Sequence, residues 1–352
     1  MQRILLIIFI CFFCCFMQGC NSTYQNIYFG QREEEKTKII TDSINRQVEI
    51  PKNINRVVVT NTYNAELIND IGGLNKIVGV DYFIYQDPAG FRYKFTKDML
   101  VGSLHGGLNY EKIIDLNPDL VILCENDGWE MAEEKLKPFG IPVVVCNSYY
   151  TNEFERNVKM LGNILGLPEN AEKYSTFFLS KVKYINEKLK NVKSKKVYFE
   201  YKDKGRTTNP GDYFYEMVKL AHAKNIFDDS KANKINIEEV VVRNPQYILK
   251  VSDVGLHSSY IPPSNDEMIA VLNEIKNRPG WDSIDAIKNE KILLLSHYAH
   301  GGGSKIMGAI YLAKFLYPEE LPDLHPEEIF KEWVTKYEGL EYIPGNTYPR
   351  FS

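Results

Sequence analysis

The chain contains one short pattern twice, EKIIDLNPDLVIL at residues 111–123 and EEVVVRNPQYILK at residues 238–250, and the two copies align without a gap. In each copy a helix-like segment ends at Asn-Pro, because proline bars the preceding residue from the helical region. An apolar strand follows the proline directly. The repeat predicts two lobes of related design.

Strands and helices alternate on either side of each copy. The strand-like runs are short, β-branched and not alternating, which suits parallel strands covered on both faces. The predicted strands are residues 56–60, 77–81, 119–124, 141–146, 196–201, 247–251 and 291–295. The predicted helices between them include residues 65–71, 110–116, 213–222, 237–243 and 266–277. The predicted fold is α/β, with two Rossmann-like lobes built on mostly parallel sheets.

The middle of the chain predicts a connection between the lobes. Residues 169–192 (ENAEKYSTFFLSKVKYINEKLKNV) lack glycine and proline and carry apolar side chains at near-helical spacing. A helix of this length runs about 36 Å, enough to reach from one lobe to the other. We therefore expect a first lobe over residues 38–168, one long linker helix over 169–193 and a second lobe over 194–352, with modest closure about a stiff helix.

The N-terminus predicts export. One cation precedes an unbroken apolar run at residues 4–17, which is too short to span a bilayer comfortably and ends in Gln-Gly-Cys. The layout of residues 1–20 is that of a secretory signal, and its ending resembles a lipoprotein lipobox with Cys20 as the acylated residue. A plain cleaved signal or an uncleaved short anchor is the alternative. The polar, charge-dense residues 21–37 are expected to form a flexible tether.

Composition and missing motifs narrow the function. A formal charge of -4 gives no basic field of the kind that holds a phosphate backbone, so nucleic acid is not expected as a partner. The chain has no Gly-x-Ser-x-Gly elbow, although HGGG at residues 300–303 is similar to an esterase oxyanion loop. It also lacks Gly-x-Gly-x-x-Gly and Gly-Lys-Ser/Thr patterns. A binding protein without an intrinsic cofactor is favoured over an enzyme such as an α/β hydrolase.

Two cysteines, Cys124 and Cys146, end successive apolar strands. Strands joined by a crossover helix are usually neighbours, so the thiols could lie within disulfide reach in an oxidising compartment. Two buried free thiols are the alternative.

The chain resembles the iron-siderophore and cobalamin class of periplasmic binding proteins, whose two lobes are joined by one long helix. The matching segments are ITDSINRQVEIPKNINRVVV (40–59), NYEKIIDLNPDLVIL (109–123), FGIPVVV (139–145), AHAKNIF (221–227), EEVVVRNPQYIL (238–249) and RPGWDSIDAIKNEKILLL (278–295). Ala221-His222-Ala223 departs from the family's Ala-Gly-Gly, and the C-terminal stretch from residue 325 extends beyond the common core.

The resemblance implies the partners. An extracytoplasmic, lipid-anchored monomer would capture an Fe(III) chelate of siderophore type and deliver it to an ABC permease dimer with its ATPase. Haem, a corrinoid or a bare divalent metal ion are alternative cargoes, and a sensory or adhesive lipoprotein is a further alternative. In the family one acidic residue on each lobe meets basic pockets of the permease, and the matching positions are Glu111 and Glu238. Ordinary helix capping is the other explanation for these acids.

The ligand is expected where strand ends of both sheets face each other, because open parallel sheets place their sites there. The residues at such positions are Tyr63, Tyr82, Tyr85, His105, Trp129 and Tyr149 in the first lobe, and Arg206, His257, Tyr260, His297, Tyr298 and His300 in the second. Aromatic rings offer flat faces for a macrocycle or catechol, and arginine a planar fork for chelate oxygens. His297 and His300, in a predicted loop, are candidates for direct metal contact; capping of the strand end is the alternative.

Overall fold

The computed structural model describes residues 36–86, 94–103, 107–253 and 260–351. Residues Ile39–Ser352 form one compact unit, and Met1–Lys38 belong to a second unit, of which only residues 36–38 are described. The predicted signal segment, Cys20 and most of the tether lie outside the described residues. Among the helices of the described ranges, none has the length and apolar character needed to cross a membrane.

The first lobe is built on a four-stranded parallel sheet. The strands up to the middle of the chain are β1 (Thr37–Thr41), β2 (Gln47–Pro51), β3 (Val57–Val59), β4 (Ile77–Val80), β5 (Gly102–Ser103), β6 (Gly107–Leu108), β7 (Leu120–Leu123) and β8 (Val143–Val145). The helices are α1 (Thr62–Asp70), α2 (Tyr82–Gln86), α3 (Tyr110–Asp115), α4 (Trp129–Leu136) and α5 (Phe154–Leu165). The sheet order is β4-β3-β7-β8, and β5 pairs with β6 in a small antiparallel ribbon.

The second lobe repeats this order and adds an edge strand. Its strands are β9 (Lys195–Tyr201), β10 (Ala223–Asn225), β11 (Tyr247–Val251), β12 (Ile292–Leu295) and β13 (Thr347–Tyr348). Its helices, numbered after the linker helix α6 (Pro168–Leu189), are α7 (Tyr213–Leu220), α8 (Glu238–Arg243), α9 (Asn265–Lys276), α10 (Asp285–Lys288), α11 (His297–Leu316) and α12 (Pro326–Glu332), followed by a π-helical turn at Trp333–Tyr337. The order is β10-β9-β11-β12-β13, parallel except for β13.

The linker helix α6 joins the lobes and takes part in their packing. It spans 22 residues, about 33 Å at a rise of ~1.5 Å per residue. Its buried aromatic rings pack into one continuous apolar core that also contains strands of both sheets. Gly162 of α5 permits the close approach of α6, because a Cβ there would lie 2.4 Å from the Cβ of Ala171. The predicted fold class is therefore confirmed: two α/β lobes with mostly parallel sheets and one long connecting helix.

The sequence repeat corresponds to the same structural unit in both lobes. α3 leads into β7 and α8 leads into β11, each the third strand along the chain in the main sheet of its lobe. The residues before the two prolines, Asn117 and Asn244, have φ of 45° and 42°, in the left-handed region that asparagine tolerates better than most residues. Each asparagine thus ends a helix and turns the chain directly into a buried strand.

Candidate functional site

The two lobes touch beside the carboxyl ends of their strands. Tyr63, in α1 after β3, accepts a hydrogen bond from Nζ of Lys305, in α11 after β12, at 2.8 Å. Tyr149, after β8, meets Tyr213, the first residue of α7, edge to face with ring centroids 6.1 Å apart. These pairs lie at the edge where parallel α/β sheets place their ligands.

Lys305 is the central cation of this region. Its side chain is fully buried, and its amine lies 4.1 Å from the ring centre of Tyr63, 4.9 Å from that of Tyr213 and 5.2 Å from that of Phe214. Aromatic faces attract a cation, and the attraction is stronger when water is excluded. Lys305 is therefore held in an aromatic cage contributed by both lobes.

The pKa and the backbone conformation of Lys305 are those of a ligand-binding residue rather than of a residue that only fills the core. Burial lowers the pKa of its amine to about 7, although the carboxylates of Glu66 and Asp212 act in the opposite direction. Its backbone φ of 74° costs a non-glycine residue roughly 1–2 kcal/mol. A perturbed amine held in an unfavourable backbone conformation is typical of functional sites. An anion bound beside Lys305 would favour its charged form.

His297 and His300 form a second polar group next to the cage. The hydroxyl of Ser252, which follows β11, lies 2.6 Å from Nε2 of His300 and 3.0 Å from Nδ1 of His297. Burial, and then the charges of Lys305 and Lys202, lower the pKa of His297 to about 3. Burial also lowers the pKa of His300, so both imidazoles are neutral at pH 7.

The expectation that His297 and His300 lie in a loop is wrong. Ser296 caps α11 by accepting a hydrogen bond from the backbone N–H of Ala299 at 3.1 Å, so both histidines lie in the first turns of a helix. The two imidazole centroids are 4.9 Å apart. No third histidine, cysteine or carboxylate of the described residues joins them within metal-ligand distance. Direct metal ligation by this pair stays a prediction.

Two further cations border the cage. The guanidinium carbon of Arg206 and the amine of Lys202 lie 5.2 Å and 5.3 Å from the ring centre of Tyr201, the last residue of β9. Lys202 acts on the pKa of His297 and Arg206 on that of Tyr213, which places both cations within electrostatic reach of the lobe contact. The second-lobe side of the contact is therefore rich in positive charge and in aromatic rings.

The first-lobe aromatic residues are spread along the sheet edge. Tyr149 packs against Tyr150 with centroids 4.5 Å apart and reaches the second lobe. One face of Trp129 is covered by the guanidinium of Arg46, 4.0 Å from the ring centre. The ring of Tyr82 is exposed, whereas Tyr85 packs partly buried against the core.

Tyr260 and Tyr298 lie together but face the C-terminal residues. Their ring centroids are 5.9 Å apart, and the Tyr260 hydroxyl donates to the backbone carbonyl of Glu341. Tyr298 is buried and stacks on Trp333 with centroids 5.4 Å apart. Tyr260 and Tyr298 therefore pack against the C-terminal stretch that begins at residue 325, and not against Lys305. His105 and His257 lie outside the described residues.

The two cysteines are free and buried. The thiol of Cys124 donates to the backbone carbonyl of Cys146 at 3.4 Å, and Sγ of Cys146 lies 3.2 Å from the hydroxyl of Ser148. Burial raises the pKa of both thiols, so neither is a reactive thiolate at neutral pH. Of the two alternatives, the structure contains the unbridged thiols.

Glu111 and Glu238 occupy equivalent places on the two lobes. Both are exposed in the first turn of the repeat helices, α3 and α8. The side chain of Asn109 caps α3 by accepting from the N–H of Lys112 at 2.9 Å, and Asn236 accepts from the N–H of Glu238 at 3.0 Å. Because the asparagines make these backbone contacts, the carboxylates remain available at the surface.

Several residues of the lobe contact were not predicted, among them Lys305, Tyr213 and Ser252. Lys305 stands immediately before the apolar residues 306–313, and a cation beside such a run can be buried where it has a binding role. Tyr213 and Ser252 have no comparable signal, because their importance comes from partners far away in sequence.

These features define a class of protein. Two α/β lobes on one long helix, with rings and cations gathered where the strand ends of both sheets meet, form a solute-binding protein. The family model for periplasmic binding proteins matches residues 57–299, and the chain belongs to that family. It is an extracytoplasmic binding protein of the ABC-transporter class and not an enzyme.

Individual relatives are distant but cover most of the chain. The molybdate-binding protein MolA of Haemophilus influenzae is 23% identical, over 88% of this chain and 93% of its own length. The iron(3+)-hydroxamate-binding protein YxeB of Bacillus subtilis is 24% identical, over 83% of this chain and 89% of its own. The solved structure of the TroA-like periplasmic binding protein FepB of Veillonella parvula has a TM-score of 0.74 at 22% identity and covers 88% of this chain and 98% of that one.

Proposed function

We propose that this protein captures an anionic metal chelate of the iron-siderophore type between its lobes and delivers it to an ABC permease. The observation that carries the proposal is the aromatic cage around Lys305, made by Tyr63 of one lobe and Tyr213 of the other. Rings pack on the flat faces of a chelate, while amine and guanidinium groups bind its charged oxygens. Arg206 adds a cation to the same side.

A small oxyanion is the second candidate. Lys305 is fully buried, so an anion of a few atoms would displace fewer of the surrounding rings than a chelate would. The name of the Haemophilus influenzae relative, a molybdate-binding protein, supports this cargo. The hydroxamate-binding relative supports the chelate instead. Haem, a corrinoid and a bare divalent metal remain further alternatives.

A titration panel tests the cargo. We expect quenching of tyrosine and tryptophan fluorescence by a ferric hydroxamate or catecholate, measured beside haem, cobalamin, molybdate and free iron, nickel and zinc salts. Lys305→Met should weaken binding of the preferred anion about 10- to 100-fold, because a charge-assisted contact is lost. Lys188→Met, at an exposed position of α6, is the matched control and should leave affinity unchanged. Tight binding of a neutral corrinoid, unaffected by Lys305→Met, would rule out an anionic cargo.

Docking through Glu111 and Glu238 is part of the same proposal. Two carboxylates at equivalent points of a stiff body can orient it on a basic permease surface. Charge reversal of both should abolish uptake of the cargo while leaving its affinity intact. Glu130→Lys, which alters an exposed first-turn acid of α4 outside the repeat, is the control and should preserve uptake. Loss of affinity in the double variant would refute the assignment.

Membrane attachment is proposed through Cys20. The Gln-Gly-Cys ending of the N-terminal apolar run supports lipidation at that residue. Attachment by acyl chains would keep the protein close to its permease. Labelling cells with a fatty-acid analogue should mark the wild-type chain, and Cys20→Ser should remove the label.

A further inference from the structure

Three carboxylates from both ends of the folded chain lie close together. Glu66 and Asp70 lie on α1 of the first lobe, and Glu338 follows the π-helical turn in the C-terminal segment, which we define as residues 326–351. One oxygen of each carboxylate lies within 4.8 Å of the others. Asp70 and Glu338 are buried and Glu66 is half-buried. The group therefore joins the C-terminal segment to the first lobe.

Hydrogen bonds hold two of these carboxylates in place but do not neutralise them. Nε1 of Trp333 donates to Oδ2 of Asp70 at 3.1 Å, and Nδ2 of Asn69 donates to Oε2 of Glu338 at 3.1 Å. Asp70 is also a hydrogen-bonding neighbour of Tyr174 and of Glu338, so the two buried carboxyl groups lie against each other. Burial of an uncompensated carboxylate costs several kcal/mol, so further positive charge or protons must be supplied.

One buried hydroxyl beside the group also lacks a partner. The hydroxyl of Tyr298 on α11 makes no hydrogen bond to any described residue, and its side chain is more than nine-tenths buried. Burial, and then the negative charge of nearby carboxylates, raises the pKa of this phenol, whereas the hydroxyl of Tyr174 on α6 is a hydrogen-bonding neighbour of Asp70. A buried polar atom without a partner is uncommon, and it points to an unseen species next to the carboxylates.

Charge and spacing indicate what that species is. Burial raises the pKa of Asp70, and burial together with the negative charges of Asp70 and Glu66 raises that of Glu338, whereas Lys94 acts in the opposite direction on Glu338. A divalent cation among the three carboxylates would relieve both the repulsion and the cost of burial. Opposite oxygens in a calcium shell lie about 4.8 Å apart, since each bond is about 2.4 Å. The separations between the carboxylate oxygens do not exceed that span.

We propose that Glu66, Asp70 and Glu338 bind a divalent cation that prefers oxygen ligands, of the Ca²⁺, Mg²⁺ or Mn²⁺ kind. Such ions keep water ligands, and one of these waters gives the hydroxyl of Tyr298 its partner. A neighbouring cavity of about 870 Å³, lined by Asn69, Asp70 and Tyr337 among others, provides a path for the hydrated ion. The bound ion fastens the C-terminal segment to the first lobe.

Metal binding by the purified chain tests this site without any chelate present. After treatment with EDTA, addition of Ca²⁺, Mg²⁺ or Mn²⁺ should raise Tm by about 3 to 6 °C for at least one of the ions. Equilibrium dialysis with elemental analysis should find about one ion per chain. Both effects should be lost in Glu66→Gln and in Glu338→Gln.

Two matched variants separate this site from other sources of metal binding. Glu341→Gln changes an exposed acid of the same segment, and His297→Ala removes an imidazole next to the Lys305 cage. Both variants should show the same rise in Tm and the same bound ion as the wild type. Glu66 is half-buried, so its variant is expected to fold even if the Glu338 variant does not. The proposal is overturned if no ion raises Tm or binds the wild-type chain, or if Glu66→Gln binds as well as the wild type.

Discussion

The two lobes share one strand order but fill the same position with opposite chemistry. In the gapless repeat, Leu123 of β7 corresponds to Lys250 of β11. Leu123 is buried among apolar side chains. Lys250 is equally buried, but it donates to Glu200 of β9 at 2.9 Å, and Glu200 also accepts from Arg278 at 2.8 and 3.0 Å.

A buried polar network of the first lobe, beside the ends of β3 and β8, is neutral. Asn64 of α1 donates to the backbone carbonyl of Thr60 at 3.2 Å and accepts from the hydroxyl of Ser148. Neutral partners avoid the desolvation cost of buried ions, whereas an ion network becomes costly when one member is removed. The comparison teaches that topology does not determine how a lobe stabilises its interior, and that the second lobe should be the more sensitive to charge.

The largest effect is expected at the buried ion network. Glu200→Gln should lower the free energy of unfolding by about 3–5 kcal/mol, because Lys250 and Arg278 are left as buried cations without their shared carboxylate. Urea denaturation followed by circular dichroism measures the change. Leu123→Met at the corresponding first-lobe position conserves volume and should cost less than about 1.5 kcal/mol.

The stability of the protein at low pH provides a second test of the Glu200 network. Burial by itself raises the pKa of Glu200, but the hydrogen bonds from Arg278 and the charges of Lys250 and Arg278 together lower it to about 2. Its contribution is therefore complete above the unfolded pKa near 4.5 and is lost as pH falls from there toward 2. In Glu200→Gln the free energy of unfolding should depend less on pH in this range. If its dependence on pH is unchanged and the loss of stability is small, the two lobes do not differ in their sensitivity to charge.

A smaller effect is expected in the neutral network of the first lobe. Ser148→Ala removes the donor to the side-chain oxygen of Asn64 and should cost about 1–3 kcal/mol, since a buried acceptor is left unpaired. The loss should not depend on pH between 3 and 7. A loss of stability as large as that of Glu200→Gln would mean that removing one member of the neutral network costs as much as removing one member of the ion network.

The smallest effects are expected at the asparagines that end the repeat helices. Asn117→Ala and Asn244→Ala should each cost roughly 1–2 kcal/mol, because alanine is disfavoured at positive φ. Glycine removes that strain, so Asn117→Gly should be nearly neutral. Asn244→Gly should still cost about 1 kcal/mol, because Oδ1 of Asn244 accepts from the N–H of Asp285 at 2.8 Å. Thermal unfolding of all four variants checks the difference, and equal values for the two glycine variants would contradict it.

Elements predicted from local patterns agree closely with the structure, and contacts between distant residues do not. The strand at 247–251 has the predicted ends, and the helix predicted over residues 169–192 is α6 (Pro168–Leu189). The Lys305–Tyr63 contact joins positions 242 residues apart, which no local pattern encodes. His297 was expected in a loop because it follows the end of a predicted strand, yet the cap at Ser296 begins a helix there.

The sequence by itself determined the two-lobe design, since helix ends, proline positions and apolar spacing act over a few residues and recur in both halves. It also determined that Glu111 and Glu238 occupy matched positions. The tertiary structure alone decided which side chains meet: the aromatic cage of Lys305, the ion network of Glu200 and the carboxylates of Glu66, Asp70 and Glu338. Burial and charge compensation arise only when distant segments pack together, and they decide which groups can bind a ligand.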